Sequence, residues 1–195
     1  MADIIVDGTG AGYAVGVDSD NKLRARATML SEIQEAVAEG RAFNINTGWI
    51  NSISADTALL YVYNGDEEDL VVDAIAVGLK ESSATEVQGV YIVSGPTGGT
   101  LVSAATNCDM IANRRVGDSK SFSSSSFLYK ATASGQTLTG GSDSALFAQT
   151  DGGRLYAVVD YVVPKGQAIG IRLEVLGSFS DAAYAALICH KRKQL

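Results

Sequence analysis

The sequence predicts a mainly β protein: an antiparallel β-sandwich or jelly roll with one short helix in its N-terminal half and an extended N-terminal arm. Three observations carry that class. Roughly ten short apolar runs follow one another at hairpin spacing, with Gly, Asn, Asp and Ser between them. Only residues 31–40 combine helical periodicity with caps. The chain is 46% apolar and 19% charged with 2 prolines, a balance that folds rather than stays disordered.

Residues 1–20 read as the arm and residues 21–195 as a single β-sandwich domain. The arm is rich in Gly and Asp, and its one apolar run is Ile4, Ile5 and Val6. Three such residues in a row are enough to add a strand to the sheet edge of a neighbouring chain, which makes them a candidate docking element. "NKLRARAT" (21–28) alternates Leu23, Ala25 and Ala27 against Lys22, Arg24 and Arg26, as a half-buried strand does. In "SEIQEAVAEG" Ser31 suits the N-cap, Gln34 stands three later and Gly40 offers a left-handed C-cap, with Ile33, Ala36 and Val37 on one face.

From there strand follows strand: "RAFNIN", "GWINSIS", then "TALLYVYNGDEEDLVVDAIAVGL", in which Asn64-Gly65 reads as a hairpin turn. "EVQGVYIVSG" and "GTLVSAA" come next. Beyond a polar loop at 117–126 lie "FLYKAT", "QTLT", "ALFAQT", the pair "RLYAVVDYVV" and "QAIGIRLEVL" around "PKG", and "SDAAYAALICH". Several of these, notably "LVVDAIAV", "YAVVDYVV" and "AAYAALIC", are apolar on both faces. A sheet with one wet face alternates, so two-sided strands predict a closed barrel or a face covered by another subunit. The second reading predicts an oligomer.

The candidate chemistry is thin. "GPTGGT" (95–100) lacks the Lys of a phosphate-binding loop and precedes an apparent strand, so it reads as a hairpin turn. "GTGAG" (8–12) has no βαβ unit around it. "DSDN" (18–21) and "DEED" (66–69) supply calcium-type oxygens, though an acidic turn is more often simply solvated. His190 is the sole histidine and stands beside Lys191, Arg192 and Lys193, a poor setting for a general base. Cys108 and Cys189 have no zinc-type spacing and read as buried, reduced thiols. No catalytic, cofactor or metal residue is assigned, and an enzyme is not expected. The net charge of −7 opposes nucleic-acid binding, and the basic end "HKRKQL" is too small to reverse it. No apolar run reaches the ~18 residues that span a bilayer. With no signal-peptide pattern at the start, synthesis in a host cytoplasm is expected.

The stretch "VDSDNKLRARATMLSEIQEAVAEGRAFNINTGWINSISADTALLYVYNGDEEDLVVDAIAVGL", with "GPTGGTLVSAATN" and "VVPKGQAIGIRL", resembles virion structural proteins of tailed bacteriophages, over about residues 15–175. The pattern is a basic alternating strand, a capped helix ending at Gly, an "AFN-NTG" strand and an "LLY--N-ED-DL" turn. The resemblance implies a capsid decoration (cement) or accessory head protein, often a homotrimer, whose partner is the major capsid protein on the virion surface. Its alternatives are a tail, collar or adaptor component, or a receptor- or carbohydrate-binding jelly-roll module. The shared positions are turns and core strands, so no functional residue follows from it.

Overall fold

The computed structural model describes residues 16–17, 23–24, 31–80, 87–108, 110–150, 154–175 and 181–192. The chain divides into two units, residues 1–31 and 32–195. In the first, β1 (Gly16–Val17) pairs antiparallel with β2 (Leu23–Arg24), the only part of the strand expected over 21–28 that is described. Ile4, Ile5 and Val6, the rest of the expected arm, and the "DSDN" turn lie outside the described residues.

The second unit opens with α1 (Glu32–Ala38), immediately after Ser31. Glu32 and Glu35 in its first turn complement the positive end of the helix dipole. Gly40 takes a φ of 71°, the left-handed stop that its position after the helix requires. The elements that follow are β3 (Ala42–Asn46), β4 (Ile50–Ile53), β5 (Thr57–Tyr63), β6 (Asp69–Leu79), β7 (Val87–Ser94), α2 (Thr100–Ala104), β8 (Met110–Asn113), β9 (Phe127–Lys130), β10 (Ser142–Thr150), β11 (Arg154–Val163), β12 (Ala168–Val175) and β13 (Asp181–Arg192).

They form two antiparallel sheets. One runs β10-β7-β12-β5-β9 and the other β11-β6-β13-β3-β8, with β4 also paired to β13. Setting aside the short β4, β8 and β9, eight strands remain, and their pairing is nested. The first pairs the last (β3 with β13), the second the seventh (β5 with β12), the third the sixth (β6 with β11) and the fourth the fifth (β7 with β10). Two packed antiparallel sheets make the expected β-sandwich, and the nested strand order makes that sandwich a jelly roll.

The core lies between the sheets. Leu60, Val62, Val90, Ile92, Ile169, Ile171 and Leu173 face Phe43, Ile45, Leu70, Val72, Ile75, Val77 and Leu187, all in one buried cluster. Each such side chain contributes about 1.5–3 kcal/mol of burial.

The nested pairing corrects several sequence expectations. Asn64-Gly65 is not a hairpin turn, because β5 and β6 belong to opposite sheets. It is a crossing, pinned by Asn64, whose Nδ2 donates to Glu68 O and Val163 O, each at 2.9 Å. "PKG" likewise carries the chain between sheets, from β11 to β12. "GPTGGT" leaves β7 and leads into α2, so it is no hairpin turn either, and "TLVSA" is helix, not strand. Residues 136–138 of "QTLT" are outside any strand, whereas β8 (Met110–Asn113) went unanticipated.

The segment carrying "QTLT" instead lies across the outer face of the five-stranded sheet. A Cβ on Gly170 of β12 would come within 2.3 Å of Leu138 Cδ1 and 3.2 Å of Leu60 O, so any side chain there has to displace Leu138. Gln136 O accepts from Ala58 N at 2.7 Å, Thr137 O from Leu101 N at 3.1 Å, and Leu101 of α2 is fully buried.

Candidate functional site

The outer face of the six-stranded sheet is the surface most unlike solvated β-sheet. Register sets its side chains in rungs across five strands. One rung runs Tyr156, Ala76, Ala186, Asn46, Met110, and the next Val158, Ala74, Ile188, Asn44, Ala112. At ~4.8 Å between strands each rung spans about 20 Å. Val158 is 80% exposed, Tyr156 61%, Met110 53% and Trp49, just before β4, 52%. Trp49 stands edge-on to Tyr184 of β13, with ring centroids 4.9 Å apart. Tyr184 in turn lies over Gly78, where a Cβ would come 2.0 Å from its Cε1. Ala76 and Ala186 keep the middle of the first rung low, Ile188 adds an apolar side chain to the middle of the second, and the exposed Tyr156, Val158 and Met110 stand at the rung ends.

The same face ends in a charged cluster under α1. Against β13 the extra residue stands in β6, between Val72 and Ala74, which makes Asp73 the bulged residue of that pair; against β11 the shift falls in β11, between Val158 and Tyr161. A bulge re-aims a side chain, and here Asp73 Oδ1 meets His190 Nδ1 at 2.9 Å. His190 Nε2 lies 3.4 Å from Glu32 Oε1 of α1, and Arg114 Nη1 lies 3.6 Å from Asp73 Oδ2. Arg192 reaches Glu32 at 3.8 Å and Asp69 at 3.1 Å. The His190 side chain is 3% exposed. The hydrogen bond to Asp73 pushes His190 above its ordinary value of 6.5; burial opposes this, and the charges of Asp73 and Glu32 support it.

"DEED" (66–69) is an ion-pair hub instead of a solvated turn. Asp66 accepts from Lys191 Nζ and from the hydroxyls of Ser123 and Ser125, and Glu67 pairs with Lys165. Burial raises the Asp66 carboxyl, but the Lys191 and serine hydrogen bonds outweigh it and hold the group below 3.8. Lys191 also stands 4.9 Å above the Phe122 ring. The basic end of the chain is thus folded onto the acidic turn: Lys191 meets Asp66 and Arg192 meets Asp69. Among the described residues no group of three His, Cys, Asp or Glu side chains is placed to hold a metal ion.

Both thiols are buried. Cys108 Sγ donates to Asn46 O at 2.8 Å, and Cys189 Sγ to Phe43 O at 3.7 Å. Burial pushes Cys189 up to about 12, so it is an inert core residue. Among the described residues no helix is long and apolar enough to cross a membrane.

No protein-family model matches the chain, and no curated protein matches it. Among solved structures it is similar to the Yersinia pseudotuberculosis-derived mitogen, at 8% identity and a TM-score of 0.27 over 73% of this chain and 92% of that one. It is also weakly similar to two viral structures. One is a chain of mud crab dicistrovirus, at 12% identity and a TM-score of 0.22, covering 98% of this chain and 86% of that one. The other is the VP2 protein of infectious bursal disease virus, at 12% identity and a TM-score of 0.19, covering 98% and 45%. Scores this low carry no argument; the jelly roll rests on the strand order.

The sequence missed the Glu32–His190–Asp73–Arg114 cluster. Its one visible signal was Asp73 alone in "LVVDAIAV", a carboxylate in the middle of an apolar strand. The outer face was legible in kind, from two-sided apolar strands, but Trp49 and Met110 could be placed on it only once strand order was known.

Proposed function

We propose that this protein is a non-enzymatic virion structural protein of a tailed bacteriophage, a decoration protein that forms a homotrimer and binds the major capsid protein on the head. The observation that carries this is the apolar outer face with Tyr156, Val158, Trp49 and Met110 exposed. A stiff jelly roll with one adhesive face is suited to sitting on a lattice and bridging its subunits. A closed ring of copies would also hide the edge strand β11, which otherwise invites open-ended pairing. The sequence resemblance to phage virion proteins supports the choice of host structure. In this reading Ile4, Ile5 and Val6 extend from the arm to add a strand to a capsid subunit.

The test mixes purified protein with preformed heads that lack it. Full-length protein is expected to bind heads at saturating, lattice-matched copy number, and protein lacking residues 1–20 to keep its oligomeric state but lose binding. Full-affinity binding without residues 1–20 removes the arm from the docking role. Protein that ignores heads and co-purifies with tails overturns the decoration reading in favour of a tail, collar or adaptor component.

A further inference from the structure

The His190 cluster belongs to neither the core nor the apolar face, and it is built. Its imidazole is buried between two carboxylates from different elements, Asp73 on the β6 bulge and Glu32 at the start of α1. A neutral ring carries one N–H and one lone pair. With Nδ1 donating to Asp73, a neutral Nε2 would point its lone pair at Glu32 across 3.4 Å. Only the imidazolium presents a proton to both. We propose that His190 is a proton-operated latch: its charged ring ties α1 to the six-stranded sheet, and loss of that proton releases the helix.

The surrounding charges agree with this assignment. The groups that face the ring are Glu32 from α1, Asp73 from β6 and Arg114 from the segment after β8, with Arg192 and Asp69 completing the set. Three carboxylates stand against two guanidinium groups, so the cluster balances only when His190 carries the third positive charge. Three buried atoms, Asp73 Oδ2, Arg114 Nη1 and His190 Nε2, make no hydrogen bond and are held by charge alone. Removing the ring's charge leaves the largely buried Asp73 with Arg114 as its one remaining cation and turns a lone pair towards the half-exposed Glu32, so the contact that ties α1 to the sheet becomes repulsive. α1 is the element that yields. It is 7 residues long, too short to persist without its docked face, and only Ala36 of it is buried.

The sign follows from the raised value. The latch is fully closed below the unfolded histidine value of about 6.5. It opens as pH rises through the higher folded value, in a window on the alkaline side of 6.5.

His190 is the only histidine in the chain, so its ring gives one unambiguous set of NMR signals. The experiment records ring 15N shifts and α1 amide exchange on the full-length protein from pH 5 to 9. Exchange is normalised to amides of β12 to remove intrinsic pH dependence. The expected result is both ring nitrogens protonated at pH 6, a midpoint above 6.5, and at least tenfold loss of α1 protection across that midpoint. Glu32→Gln, at a half-exposed site where folding is not at stake, is expected to move the ring midpoint and the α1 transition down together. A midpoint at or below 6.5, or α1 protection that ignores the ring titration, overturns the proposal. Neither result depends on binding to heads.

Discussion

The two sheets of this jelly roll treat their outer faces differently. On the five-stranded sheet the chain covers much of the outer face itself: Leu138 sits on Gly170, α2 buries Leu101, and Arg172 lies 4.5 Å over Tyr91 while pairing with Asp143 at 2.6 Å, which leaves the Tyr63–Phe127–Tyr129 stack at the β9 edge with Phe127 48% exposed. Even Tyr61, which points outward, is 7% exposed. On the six-stranded sheet α1 covers one end, and the rest presents Tyr156, Val158 and Trp49 to solvent. The strands of the two sheets are equally apolar in sequence, so hydrophobicity alone does not say which face is closed from within. The length and placement of the connections does. The β7-to-β10 excursion, residues 95–141, is long enough to fold back over its own sheet, and among the described residues no connection of that length lies over the other. The exposed face is where a second molecule finds unused apolar surface.

The largest effect expected from this contrast is on the covered face. Gly170→Val drives a side chain into Leu138 and close to Leu60 O. Overpacking of that kind costs about 3 kcal/mol, and urea unfolding should show it without any change in oligomeric state. If the variant is as stable as the wild type, the 136–139 segment is a loose flap and the two faces are not different in kind.

A smaller loss is expected at the crossing between sheets. Asn64 is 1% exposed and answers for the carbonyls of Glu68 and Val163 and, through Oδ1, the N–H of Asp66 at 3.1 Å. Asn64→Ala leaves buried backbone groups unpaired at about 2 kcal/mol. A loss under a few tenths would mean that water enters and replaces the amide, and that this crossing does little to register one sheet on the other.

How much of this was readable beforehand follows from that crossing. Asn64-Gly65 marked the end of β5 but not a hairpin, because turn chemistry is local. Whether the next strand pairs with the last or crosses the core depends on residues a hundred positions away; β6 is paired by β11 and β13. Turn signals therefore located most strands, while the nested order that makes a jelly roll was not encoded in any one of them. α1 was legible down to Gly40, since its caps and periodicity are local too. The Asp73–His190 contact was not, because it joins residues 117 apart through a bulge that no local pattern announces.

On the exposed face the expected effect is confined to assembly. Tyr156→Asp together with Val158→Lys replaces two outward side chains that are already in solvent, so unfolding should shift by no more than about 0.5 kcal/mol. Self-association should weaken at least tenfold, about 1.4 kcal/mol, in sedimentation across a concentration series. A wild type that is monomeric at every concentration, or a double variant that assembles unchanged, would mean that copies of this chain do not cover this face.

The finest contrast lies between two titrating groups at the end of β13, Asp66 against Lys191 and His190 itself. Asp66 is held below 3.8 by Lys191 and its serine hydroxyls. A lowered value means stability that is present above 3.8 and lost as pH falls through the folded value. Asp66→Asn deletes that dependence and leaves the Lys191 ammonium without its carboxylate. The variant should therefore be less stable than the wild type at pH 7, with a gap that narrows as both are acidified below 3.8. His190 runs the other way, its contribution fading on the alkaline side of 6.5. Wild-type stability should fall at both ends of the pH range, and Asp66→Asn should flatten only the acid side. A gap that stays constant from pH 7 down to pH 3 would show that Asp66 is protonated no differently in the folded and unfolded chain. The Lys191–Asp66 contact would then hold the strand end by packing against Phe122 rather than by charge.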